Sequence, residues 1–235
     1  MRANMPTLTI PRRFNGPADS ANGGIAAGRL AQLVDTGAAV GPIQVTLHRP
    51  PPLEVELRVE RDSDGRLRAW HGSDLVADAL PVAIEIDPVT PVDFETAAEA
   101  ATRFAGFTDH PFPTCVGCGT ERTDGLACYA GPLDPAAPTR VATPFVPRPD
   151  LPRDLSLTWA ALDCAGGWAI GLAGRRAVLG RFTAMVADVG HLDEQCVVVA
   201  QGDGWDGRKA FSRSTCYGAD GRVLGVGHAV WIELR

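Results

Sequence analysis

Aromatic residues make up only 6% of this 235-residue chain, and no apolar run reaches membrane-spanning length. No basic cluster is longer than Arg12-Arg13 or Arg175-Arg176, and the net charge is −6. The missing apolar run excludes a transmembrane helix. The opening stretch MRANMPTLTIPRRF also lacks the apolar core of a signal peptide, so a cytoplasmic location is expected. The missing basic patch argues against a nucleic-acid partner. In a reducing compartment the six cysteines are expected to be free thiols rather than disulfides, and Cys164, Cys196 and Cys216 read as small buried hydrophobes. Glycine (26) and proline (19) are frequent, which fits many short connections between regular elements.

The elements come twice. A small-residue helical stretch at Ala21–Val34 precedes strands at Ile43–His48, Leu53–Arg61 and Arg66–Ile86. A second, Leu155–Gly171, precedes strands at Leu179–Ala187, Gln195–Gln201, Lys209–Tyr217 and Arg222–Leu234. Leu53–Glu60 alternates apolar and charged residues, the pattern of a strand with one wet face. Asp62-Ser63-Asp64-Gly65, Asp203–Arg208 and Ala219-Asp220-Gly221 carry hairpin-turn residues. Asp19-Ser20 offer N-cap chemistry to the first helix, and Asp154 or Ser156 to the second. Residues 88–150 hold more than half of the nineteen prolines. They read as a connecting region, with a short helix at Phe94–Phe104 and a strand at Gly125–Ala130. The predicted division is an N-terminal unit at 1–90, a linker at 91–124 and a C-terminal unit at 125–235. Helix followed by antiparallel strands joined through Gly turns gives an α+β class, each sheet curling around its helix.

Several motifs follow one another in a set order. Asn22-Gly23-Gly24 opens the first helix, followed by Arg49-Pro50 and by Val59-Glu60-Arg61 before Gly65-Arg66. The second helix carries Trp159-Ala160-Ala161-Leu162-Asp163. Leu192-Asp193-Glu194, Gly207-Arg208 and Asp220-Gly221 come after it. The pattern resembles the acyl-CoA thioesterase II-like proteins of the double hotdog fold. That resemblance implies hydrolysis of a thioester at one composite site between the halves. Asp163 would activate water, and backbone N–H groups at Asn22, Gly23 and Gly24 would hold the carbonyl oxygen. The family pattern also expects a hydroxyl residue after the second helix, for which Thr183 is the candidate. It expects a Gln in the last strand, where this chain has Gly227-His228-Ala229-Val230, so His228 is the candidate acid or base there. The other readings are a non-catalytic acyl-CoA or lipid-ligand binder and a hotdog hydratase or dehydratase. The implied ligand is acyl-CoA or acyl-pantetheine, with no cofactor. The halves would form an internal pseudo-dimer, and a homodimer of chains is a further option.

Asp163 and the Gly pair also have plainer readings: a carboxylate that pairs with an Arg or caps a helix break at Gly166-Gly167, and an ordinary helix entry. Cys115-x-x-Cys118 reads first as two free thiols in a tight Pro/Gly loop. As a half-site for zinc it would need Cys128 and His110 as partners. A redox pair would need a helix N-terminus that the local sequence does not offer.

Overall fold

The structure, a computed structural model, describes residues 6–34, 41–187 and 193–235. In the first half β1 (Thr7–Leu8) leads into α1 (Gly23–Ala31). The strands β2 (Ile43–Leu47), β3 (Leu57–Arg61), β4 (Leu67–His71) and β5 (Asp74–Pro81) follow. Then come α2 (Phe94–Ala101) and β6 (Gly131–Pro132). The second half runs β7 (Arg140–Phe145), α3 (Ser156–Ala169), β8 (Ala177–Val186), β9 (Cys196–Asp206), β10 (Lys209–Tyr217) and β11 (Val223–Glu233).

The eleven strands of the described residues form one antiparallel sheet in the order β1-β3-β4-β5-β2-β8-β11-β10-β9-β7-β6. Apart from β6, this order is palindromic. Each half is one strand, a helix and four strands, and matching strands lie at equal distances from the β2–β8 junction. That junction pairs Ile43 with Ala184 and Thr46 with Arg181. The apolar alternation along both strands fixes its register, since a one-residue slip would turn Val45 and Phe182 out of the core.

The two helices pack on each other on the concave side. Gly24 and Gly28 make this contact possible. A Cβ on Gly24 would lie 2.5 Å from the Trp159 carbonyl, and one on Gly28 would lie 2.7 Å from Ser156 Cα. These glycines weaken α1 as a helix but let its backbone touch α3. All fourteen residues of α3 are buried, so it needs no polar face.

Several expectations shift. The strand read as Leu53–Arg61 starts only at Leu57, because Glu54 takes a left-handed φ of 60° and its N–H bonds Ile10 O. The strand read as Arg66–Ile86 is a hairpin, turned at Gly72 with φ 59°. The turn expected over Asp203–Arg208 shrinks to Gly207-Arg208, as β9 continues to Asp206. Gly125–Ala130 is not a strand. β7 lies in the proline-rich stretch instead, where Pro144 is tolerated because β6 pairs only with Val141 and Ala142 and leaves that end an edge. The short helix is present as α2, packed through Ala97 and Ala100 against Ala142, Val197 and Val199. The connecting region is thus part of the folded body: Tyr217 OH donates to Val89 O, and Val89 N–H donates to Thr215 Oγ1. Leu192 of the Leu192-Asp193-Glu194 motif lies outside the described residues.

Candidate functional site

The N-cap of α1 is Asn22 rather than Asp19 or Ser20. Its Oδ1 accepts from Ile25 N–H at 2.9 Å, and its carbonyl accepts from Ala26 N–H. Of the remaining first-turn donors, Gly24 N–H donates to Asp163 Oδ2 at 2.8 Å. Gly23 N–H makes no hydrogen bond among the described residues. The helix N-terminus therefore presents one free donor, reinforced by the partial positive charge of that end. A Cβ on Gly23 would strike Leu179 at 2.8 Å, so the position is limited to glycine.

Asp163 sits in the middle of α3 and is only 3% exposed. Its Oδ1 is buried and has no hydrogen-bond partner. Burial pushes its carboxyl up to about 8, against the Gly24 N–H bond that favours the charged form. No arginine pairs with it among the described residues. An acid held near neutrality in the core is expensive unless it has a use.

Asn22, Gly23 and Asp163 line one side of a cavity of about 520 Å³, a volume suited to a small ligand. Apolar side chains from both halves, including Leu47, Phe112, Leu172, Leu179, Trp231 and Ile232, form most of the rest. Arg49 also lines it and pairs with Asp74 at 3.1 Å. The cavity thus brings together Asp163, Asn22 and Gly23; Gly24, expected as a further donor, does not line it and donates its N–H to Asp163, while Asn22 N–H donates to Phe14 O. The cavity does not take in Thr183 or His228. These two are cross-strand partners on β8 and β11. The preceding Phe182 points inward onto Trp159, so Thr183 faces the other side of the sheet. Burial lowers the His228 ring below its usual value, and Asp203, which opposes that shift, lies on the sheet rather than in the cavity.

The Cys-x-x-Cys loop also reaches this cavity. Cys115 and Cys118 line it, joined by Cys164, the α3 neighbour of Asp163. Cys128 and His110 do not complete a cluster with the pair. His110 donates from Nε2 to Cys118 O and accepts at Nδ1 from Phe112 N–H, both at 3.0 Å, so both ring nitrogens are occupied. Cys128 Sγ faces Leu126 O, and burial pushes its thiol up. The Cys118 and Cys164 thiols donate to Cys115 and hold it well below the usual thiol range. Sequence reasoning missed Cys164 because it stands 49 residues from Cys115 in an apolar helix.

A second cavity of about 390 Å³ lies at the other end of the β2–β8 junction, lined by Ala31, Ile43, Leu155, Trp159 and Val186 among others. It occupies the position related to the first by the twofold arrangement of the halves. None of its described lining residues is an acid.

No protein-family model matches the chain, and no curated protein matches it. Solved structures do. A conserved protein of unknown function with a hot dog fold from Alicyclobacillus acidocaldarius is 12% identical, over 100% of this chain and 95% of its own, with a TM-score of 0.64. The chain has a hotdog fold. Hotdog-fold thioesterases are among its structural neighbours. An acyl-CoA thioesterase II from Mycobacterium marinum superposes over 98% of this chain and 93% of its own, at 15% identity and a TM-score of 0.60. The dehydratase domain of PpsC from Mycobacterium tuberculosis, solved with C12:1-CoA, covers 97% of this chain and 92% of that domain, at 15% identity and a TM-score of 0.57. No helix among the described residues of this hotdog protein is long and apolar enough to cross a membrane.

Proposed function

We propose that this chain is a double hotdog acyl-CoA thioesterase-like hydrolase, with units at 1–90 and 125–235 and a single working site between them. The observation that carries the reading is the meeting of Asp163 with the start of α1. Asp163, whose Oδ1 is unpartnered, and Gly23, whose N–H is free, are residues lining the same apolar cavity, one supplied by each half. Asp163 in its ionised form, populated increasingly as pH approaches about 8, takes a proton from water as the water attacks the thioester carbon. Gly23 N–H stabilises the negative charge that develops on the carbonyl oxygen. Collapse of the tetrahedral intermediate breaks the C–S bond, and the thiolate leaves with the proton held by Asp163. The products are a carboxylic acid and a free thiol. The apolar walls suit the acyl chain. Arg49 suits a phosphate of the pantetheine-bearing carrier.

A dehydratase-like reading draws on the PpsC domain's fold, but a dyad with Asp163 needs a free imidazole. Of the two histidines that line the cavity, His110 has both ring nitrogens bonded, and His48, bonded at Nε2 to Asp78, makes no hydrogen bond to Asp163. A binder without chemistry is favoured by the last strand, which offers no Gln, and by Thr183 and His228 standing off the cavity. Free-thiol release from a panel of acyl-CoAs, for wild type and Asp163→Asn, separates the readings. Turnover lost in the variant supports hydrolysis through Asp163. Equal turnover in both removes Asp163 from the mechanism, and binding without turnover in either selects the binder.

A further inference from the structure

The three sulfur atoms of Cys115, Cys118 and Cys164 lie within 4.8 Å of one another, and all three residues are buried. Cys115 Sγ and Cys164 Sγ are 3.9 Å apart. Three thiolates bound tetrahedrally to zinc at ~2.3 Å would place their sulfurs ~3.8 Å apart, so a small contraction of the present cluster suffices.

The surroundings are built to hold sulfur anions. The loop turns tightly, with Gly119 N–H donating to Cys115 O at 2.8 Å. Gly117 is required for Cys164 to approach, because a Cβ there would lie 2.2 Å from Cys164 Sγ. Asn22 Nδ2 donates to Cys115 Sγ at 3.6 Å and to Cys164 Sγ at 3.7 Å. Its amide cannot turn over without losing the bond from Ile25 N–H to Oδ1. The indole N–H of Trp168 is buried and unpaired, beside Cys118. Donors to the sulfurs from outside the ligand set are what orient and stabilise metal-bound thiolates. The loop is fixed before any metal arrives: Val116 N–H donates to Asn15 O, and Arg122 donates to Asn15 Oδ1 and Thr114 O.

We propose that Cys115, Cys118 and Cys164 bind one zinc ion through three thiolates, with the fourth position open to the cavity. Binding releases the thiol protons to solvent and leaves a net charge of −1 on the metal–thiolate group. The Asn22 amide and the Trp168 indole N–H offset that charge. An all-sulfur set selects a soft or borderline cation over magnesium or calcium. Because the three ligands line the cavity, a fourth ligand arrives from there, as water or as the sulfur of a ligand. The proposal does not depend on thioester hydrolysis.

The test uses the full chain, purified tag-free under reducing conditions without chelator. Zinc is measured per chain, and the stripped protein is then titrated with cobalt(II). The expected result is one equivalent of zinc and, with cobalt, sulfur-to-metal charge-transfer bands together with the ligand-field bands of a tetrahedral site. Cys118→Ser and Cys164→Ser should lose both signals. Cys128→Ser and Asp163→Asn should keep them, so that loss of turnover in Asp163→Asn with zinc retained separates the two proposals. Should the serine variants fail to fold, the cobalt spectrum of the wild type decides. No charge-transfer bands in reduced wild type, or zinc retained after loss of any one of the three thiols, overturns the site.

Discussion

Replacing Asp163 with Asn should change how stability depends on pH. In the folded chain burial holds this carboxyl at about 8, whereas in the unfolded chain it titrates near ~3.9. The folded state therefore keeps a proton that the unfolded state has already lost, over the whole window between those values. Stability falls as pH rises through the window and levels off above the folded value. At ~1.36 kcal/mol per unit, the contribution lost between about pH 6 and about pH 9 is on the order of 3 kcal/mol. The Asn variant has no such slope. Its amide oxygen can still accept from Gly24 N–H, but its NH₂ replaces the unpartnered Oδ1 and would be left unsatisfied, at a cost of ~1–3 kcal/mol. That loss is of the same order as the wild-type burden already present near pH 6, about 3 kcal/mol. The two proteins should therefore be of similar stability near pH 6, and the variant should be the more stable near pH 9. The assay is urea unfolding of metal-stripped, reduced protein across that range. Cys115, itself held below the usual thiol range, adds to the rise of the Asp163 carboxyl, so the difference curve reports Asp163 together with that coupling. Parallel curves would refute the claim that burial holds the acid protonated.

The remaining expectations concern the glycines, the cavity mouth and the outer sheet face. Gly24→Ala puts a methyl 2.5 Å from the Trp159 carbonyl and should lower stability by ~1–3 kcal/mol or more, read by thermal melting. Gly117→Ala displaces Cys164 Sγ; it should weaken zinc retention under chelator challenge while Cys128 stays unreactive to thiol reagents. Arg49→Ala should raise KM for acyl-CoA with little change in kcat, and should not affect a substrate carrying no phosphate. His228→Ala should leave turnover unchanged, since the ring lies off the cavity, and a large loss would require a different site.

What the sequence made legible follows from range. Alternation, Gly turns and the two small-residue helices are local signals, and they place most strands and both helices α1 and α3. The acid in an apolar helix was visible because Asp163 contradicts its neighbours. Its bond from Gly24 N–H was not legible, since the two residues lie in different halves; the family resemblance brought the two segments together but cast that N–H as a donor to the substrate oxygen. Where local rules failed, a contact from elsewhere had overridden them. Asn22 caps α1 although Asp19 and Ser20 are equally good cap residues, because its side chain also meets Cys115 and Cys164. β7 forms despite its proline because β9 supplies the ladder. Cys164 reads as packing in sequence, and becomes part of a cluster only when Gly117 lets the loop down onto α3.

The two cavities explain why duplication need not double the chemistry. The palindromic sheet places one cavity at each end of the β2–β8 junction. The first combines a free helix-terminal N–H from one half with an acid from the other. In the second the roles reverse: the start of α3 must supply the donor and α1 the acid. But α3 begins Ser156-Leu157 with no Gly pair, and α1 carries only small or apolar residues on its buried side. Placing an acid there would bury a second carboxylate with nothing to hold it. In a symmetric pair of identical units both sites would have to carry that burden. Joining the units in one chain lets one site keep the buried acid while the other packs as ordinary core, so Asp163 destabilises the fold only once.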